Sequence, residues 1–84
     1  MKTVTVYSKD YCPYCKAAKK LLNTLNVEFK EIDVLRSPVD LKTMRRRSNR
    51  HTVPQIFFGD KHIGGYTDLV DYLQDSRNKR ALAS

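Results

Sequence analysis

An α/β sandwich, with four strands in a mixed sheet and three helices on its faces, is the fold class these 84 residues predict. Three observations carry the prediction. The apolar run Val4-Thr5-Val6-Tyr7 gives way near Pro13 to apolar residues at helical spacing, and these to the alternating apolar and charged residues of Val27 to Val34. Ser37-Pro38 opens a second helical stretch. Two short runs, Gln55-Ile56-Phe57-Phe58 and Lys61-His62-Ile63, flank Gly59-Asp60 and lead into a last helical pattern.

The first strand, with Val4, Val6 and the Tyr7 ring, is bounded by Lys2 and by Ser8-Lys9-Asp10. Pro13 suits the first turn of the first helix, where its missing N–H costs nothing. Ala17, Ala18, Leu21, Leu22 and Leu25 then form its apolar stripe, Lys16, Lys19, Lys20 and Asn23 lie off it, and Asn26 ends it. Val27 to Val34 reads as a strand with one covered face, so the chain opens as β-α-β, for which a right-handed crossover between parallel strands is the default.

Ser37 caps the second helix, Leu41, Met44 and Val39 are read as its apolar side, of which Val39 is the outlying member, and Arg45-Arg46-Arg47 suit its C-terminal dipole. Gly59-Asp60 predicts a tight turn between the third and fourth strands, and Gly64-Gly65 a break in the sheet. The last helix is predicted from Thr67 or Asp68 to about Asp75, with Thr67 as cap and Asp68 as a favourable first-turn anion. Residues 1–84 are read as one domain with a basic C-terminal tail from about residue 76.

Composition narrows the function classes. A chain of this length buries only about 60% of its unfolded surface, which leaves one modest core and no room for a regulatory module. Sixteen Lys and Arg against nine Asp and Glu give a formal charge of +7, which favours an anionic partner. No stretch approaches the ~18 apolar residues of a membrane span, and the N-terminus has no apolar signal core, so a reducing cytoplasm is the expected compartment. There a cysteine pair is more often catalytic or metal-binding than a structural staple.

The only two cysteines, in Cys12-Pro13-Tyr14-Cys15, stand where the first strand meets the first helix, a position that points to a redox pair. A zinc half-site is the sharpest rival, but His51 and His62 follow after 35 and then 10 intervening residues, unlike closely paired ligands, and no metal is expected. Cys12 falls at the helix cap, where N–H groups of Tyr14 and Cys15 and the helix dipole favour a thiolate. Lys16, Lys19 and Lys20 oppose that dipole at a cost of a few tenths of a kcal/mol per pair, and they draw in anions. Cys15, a turn inward, fits a resolving role.

Three segments together carry a family resemblance: Lys9 with Cys12-Pro13-Tyr14-Cys15, Thr52-Val53-Pro54-Gln55-Ile56-Phe57, and Gly64-Gly65-Tyr66-Thr67-Asp68-Leu69. In their order and separation the chain resembles the dithiol glutaredoxins of the thioredoxin fold along nearly its whole length. The resemblance implies a glutathione-dependent thiol–disulfide oxidoreductase with Cys12 and Cys15 catalytic, glutathione as co-substrate, and a cis Pro54 facing the cysteines. It places Lys9 and Gln55 near the glycine carboxylate of glutathione, Tyr14 beside its sulfur or its peptide, and the Val53 backbone in antiparallel pairing with its cysteinyl residue, next to Thr52 and Pro54. The γ-glutamyl carboxylate falls to the N–H groups of Thr67 and Asp68, a helix N-terminus, and its ammonium to the Asp68 carboxylate. Arg50 and His51 stand close by without an assigned role.

Implied partners are glutathionylated and disulfide-bearing proteins, ribonucleotide reductase among them as in the family, for a monomer. Pro13 argues against the iron–sulfur clusters known mostly from glutaredoxins with a single active-site cysteine. Two other readings stay open: a glutaredoxin-like hydrogen donor reduced by thioredoxin reductase, and a non-catalytic basic module that binds nucleic acid. The second lacks interleaved aromatics around its arginine runs, so a solvated basic face is the better account of them. His62 is read as a strand residue facing solvent.

Overall fold

The computed structural model describes residues 3–75 and 77–78. Seven elements follow one another as β1 (Val4–Ser8), α1 (Pro13–Thr24), β2 (Phe29–Asp33), α2 (Pro38–Ser48), β3 (Gln55–Phe58), β4 (Lys61–Gly64) and α3 (Tyr66–Gln74). The predicted element order holds. Of the basic tail, Arg77 and Asn78 continue beyond α3, where Asn78 Nδ2 donates to the Tyr72 carbonyl at 2.9 Å. Ser76 and residues 79–84 lie outside the described residues.

The sheet has the order β2-β1-β3-β4, with β1 parallel to β2 and antiparallel to β3, and β3 antiparallel to β4. This is the thioredoxin fold. Alternation along the strands distributes the core over both faces of the sheet. Val4, Val6, Ile56 and Phe58 pack with Ala18 and Leu22 of α1 and Leu69 of α3, whereas Tyr7 and Phe57 pack with Val34 and Met44 of α2. Arg47, last of the arginine run, closes this second layer. Its guanidinium lies 4.0 Å from the Phe57 ring centre and donates to the Tyr7 hydroxyl at 3.1 Å. All three arginines of the run are exposed, and Arg47 alone is tied to the core edge by these contacts.

Two boundaries differ from the sequence pattern. The second strand begins at Phe29 rather than Val27, because the Val27 N–H bonds the Leu22 carbonyl at 2.9 Å and Asn26 takes a left-handed φ of 58°. Val27 thus closes α1 before the chain can join the sheet, and its burial reflects that closure. The last helix starts at Tyr66 with Gly65 as its cap, two residues before the predicted cap Thr67. Thr67 lies inside the first turn, and Asp68 reaches back to accept the Gly65 N–H at 2.9 Å.

Both predicted proline starts hold. Cys12 and Ser37 are the N-caps of α1 and α2, and the Ser37 Oγ accepts the Asp40 N–H at 3.3 Å. These caps face the end of the sheet where β1 and β2 terminate. The site is built there.

Candidate active site

Cys12 enters the site from a turn in which its N–H donates to the Lys9 carbonyl at 3.3 Å. As N-cap of α1 it presents its sulfur to the first turn, and the Cys15 N–H donates to that sulfur at 3.1 Å. Of the two N–H groups expected from the sequence, the one from Cys15 is in hydrogen-bonding position. It points a helix-terminal dipole at the sulfur, which favours negative charge there.

The two thiols differ in access. Cys12 is 9% exposed and Cys15 is fully buried. Burial, followed by the contact with the Cys12 side chain, pushes the Cys15 thiol up from 9.0 to about 12. Lys19, one turn further along α1, works against that rise. Its ammonium is held at 2.6 Å by Glu31 of β2, which also accepts from the buried Ser8 hydroxyl at 2.6 Å. These two cationic and hydroxyl contacts hold the Glu31 carboxyl below its usual range. Nothing local in the sequence joins Lys19 to Glu31; the parallel pairing of β1 and β2 sets Glu31 opposite Val6 and so beside the helix above.

Across from Cys12 lies the Val53-Pro54 peptide, which is cis. The Cys12 thiol is 3.7 Å from the Val53 carbonyl, to which it donates its hydrogen. Thr52 is exposed, Val53 half-buried and Pro54 buried, so this segment offers the backbone and the Thr52 side chain to the cleft. Tyr14 is 62% exposed and stands 6.2 Å, centre to centre, from the Tyr66 ring, which bounds the same mouth.

Gly64, Gly65 and Asp68 complete the third side. Gly64 has φ 120°, and a Cβ built there would fall 2.3 Å from the Asp68 carboxylate. A glycine is required on both counts. The Pro54 carbonyl lies 3.6 Å from where a Gly65 Cβ would sit, which brings the proline segment and the start of α3 together. Asp68 accepts from the Gly65 N–H and from Arg50 Nη1, each at 2.9 Å, and the first and then the second lower its carboxyl below the usual range. The sequence leaves Arg50 without an assigned role because this pairing spans 18 residues and two strands.

Gln55 departs from its sequence reading. It is fully buried, and its side-chain amide is spent internally: Nε2 donates to the Thr52 carbonyl at 3.0 Å and Oε1 meets His62 Nε2 at 2.7 Å. The side chain is thus not presented to the cleft. His62 in turn is only half-exposed rather than solvent-facing, and its ring packs 4.9 Å from the centre of Phe57. The Lys9 side chain, half-buried, makes no ion pair or hydrogen bond among the described residues. No cluster of three or more potential metal ligands occurs among the described residues.

A capping cysteine that keeps 9% of its surface exposed, with a second thiol fully buried one turn behind it, is equipped for exchange of one disulfide for another. On a thioredoxin fold that pairing defines a thiol–disulfide oxidoreductase. Comparison with known proteins supplies the family. The glutaredoxin family model matches residues 4–63. A glutaredoxin of Neisseria meningitidis serogroup A is 45% identical over 76 residues, covering 89% of each chain. Glutaredoxin 3 of Escherichia coli K12 is 44% identical over 77 residues, covering 92% of this chain and 90% of its own. The buckwheat glutaredoxin–glutathione complex superposes with a TM-score of 0.83 at 32% identity, over 94% of this chain and 74% of that one. The chain belongs to the glutaredoxin family and is a thiol–disulfide oxidoreductase.

Proposed function

We propose that the protein reduces glutathione mixed disulfides and protein disulfides at the expense of glutathione, with Cys12 as nucleophile and Cys15 as resolving thiol. The observation that carries this reading is the placement of the Cys12 sulfur between the Cys15 N–H and the Val53 carbonyl. The buckwheat relative was solved as a complex with glutathione, which supports the choice of co-substrate.

In the first route the Cys12 thiolate attacks the glutathionyl sulfur of a mixed disulfide. The substrate–glutathione S–S bond breaks, the substrate leaves as a thiolate that takes a proton from water, and Cys12 is joined to glutathione. A second glutathione thiolate attacks the glutathionyl sulfur, forming oxidised glutathione and freeing Cys12. In the second route Cys12 opens a protein disulfide. The Cys15 sulfur then attacks Cys12, its proton ends on the departing protein thiolate, and the Cys12–Cys15 bridge is later reduced by two glutathiones. When Cys12 ionises it gives up its bond to the Val53 carbonyl, which becomes available as an acceptor for the backbone of the incoming tripeptide.

The remaining contacts follow from chemistry. Glutathione has two carboxylates and one ammonium. Lys9 takes the glycine carboxylate, Thr52, Val53 and Pro54 align the peptide, and Tyr14 flanks the sulfur. The N–H groups of Thr67 and Asp68, inside the first turn of α3, take the γ-glutamyl carboxylate, and the Asp68 carboxylate takes the ammonium, in competition with Arg50. Gln55 acts from behind, by holding Thr52. Substrates are glutathionylated or disulfide-bearing proteins, ribonucleotide reductase among them as the resemblance implies, acted on by a monomer of one domain. The reducing cytoplasm is the compartment that keeps such a pair reduced.

Parallel assays on one sample test the reading: turnover of a cysteine–glutathione mixed disulfide coupled to glutathione reductase, and disulfide reduction coupled to thioredoxin reductase. Activity in the first is the expected result. Activity in the second alone overturns it.

A further inference from the structure

A chain of polar contacts runs from His62 at the sheet edge to the Thr52–Pro54 segment that borders the cleft. His62 of β4 meets the Gln55 amide at 2.7 Å, and Gln55 in turn contacts the Thr52 carbonyl at 3.0 Å and the Thr52 hydroxyl at 3.3 Å. Thr52 adjoins Val53, whose carbonyl accepts from Cys12. The middle member, Gln55, is fully buried, so its amide has no water to turn to.

The hydrogens in this chain can be assigned from one end. A backbone carbonyl only accepts, so the Gln55 group facing Thr52 is the NH2. The Gln55 oxygen therefore faces His62, and an oxygen only accepts. The His62 atom opposite it must then be an N–H, which places the ring hydrogen on Nε2. The Thr52 hydroxyl, accepting from Gln55, keeps its own hydrogen free to donate away from the core.

We propose that His62 is a positioning residue for glutathione binding: as the Nε2–H tautomer it locks the Gln55 amide, and through it the Thr52–Pro54 segment, in the orientation that recognises the tripeptide. A ring lacking that N–H would leave a buried amide oxygen without a donor and remove what prevents the amide from rotating. Rotation would aim oxygen at the Thr52 carbonyl and push the segment off its bonds. The surroundings disfavour a charged ring. Burial lowers the His62 pKa, Arg50 and Arg47 add to the effect, and Asp68 opposes it.

The proposal rests on the glutathione reading above, and the tests separate the two. Nitrogen-15 chemical shifts of the His62 ring in the intact, reduced protein at neutral pH report the tautomer without any assay. A protonated Nε2 with a bare Nδ1 is expected; a bare Nε2, or a doubly protonated ring, overturns the proposal. His62→Phe keeps an aromatic ring against Phe57 and removes the donor. It is expected to raise KM for the cysteine–glutathione mixed disulfide about fivefold with kcat within about twofold of the parent, the loss of one buried hydrogen bond. His62→Gln, which retains an N–H, should recover most of that KM. An unchanged KM in His62→Phe, or equal falls in kcat for both variants, overturns the positioning role. Absence of glutathione-coupled turnover in the parent protein would defeat the glutathione reading, while the expected ring tautomer in that same protein would still stand.

Discussion

Cys12 and Cys15 are the same residue on the same helical turn, yet the structure treats them as opposites. Cys12 accepts a helix-terminal N–H and borders the Val53-Pro54 segment, whereas Cys15 is fully buried and that burial pushes its thiol pKa up to about 12. The difference shows that spacing selects a pair of thiols but surroundings assign their roles. Those surroundings come from the distant half of the chain. The Val53-Pro54 segment faces Cys12, and Gly64 to Asp68 continue that wall.

The comparison breaks first at the sulfurs. Cys12→Ser is expected to abolish both deglutathionylation and protein-disulfide reduction, while Cys15→Ser keeps the first and loses the second. Steady-state rates on the two substrates check this, and deglutathionylation by Cys12→Ser would reverse the assignment. Next, alkylation by iodoacetamide followed by peptide mass mapping should mark Cys12 and spare Cys15 at neutral pH. The Cys15 pKa is higher folded than unfolded, so protonation of this thiol supports the folded state below pH 9.0. That support is lost as pH rises toward about 12. Thermal melts of the reduced protein in this alkaline range should fall more in the parent than in Cys15→Ser.

A change remote from both thiols tests how far the Cys12 side depends on the opposite wall. Gly64→Ala places a Cβ in a left-handed backbone and against the Asp68 carboxylate. It should cost about 1–3 kcal/mol of stability, measured by urea denaturation, and raise KM for the mixed disulfide. The smallest effect belongs to the Cys15 side. Glu31→Gln weakens the hold on Lys19, a partly exposed pair, and should change stability by less than about 1 kcal/mol. Its signature is selective. Protein-disulfide reduction, which needs Cys15, should slow more than deglutathionylation, and steady-state rates on the two substrates check this.

Much of this molecule was legible in the chain itself. Periodicity places seven elements in order, because each depends on side chains a few residues apart. The proline starts of α1 and α2 and the cap position of Cys12 are equally local, since a cap contacts residues within one turn. Sequence alone also brought three segments of a family pattern into view. Where the local signal was shared between neighbours it misled: Thr67 is as good a cap by type as any, but the Gly64-Gly65 backbone turns first and makes Gly65 the cap. Val27 continues an alternating pattern, yet closing α1 removes it from the strand.

What only the tertiary structure decided are contacts between elements far apart in sequence. Gln55 lies next to a recognition segment and is polar, which suits a ligand contact, but the β3–β4 pairing puts His62 beside it and turns its amide inward. The Arg50–Asp68 and Lys19–Glu31 pairs likewise exist only because strand order brings their elements together. Periodicity constrains which face a residue takes and nothing about which distant residue shares it. The unequal thiols of Cys12-Pro13-Tyr14-Cys15 are the product of both, a local cap that sets one sulfur against the Val53 carbonyl and a fold that buries the other completely.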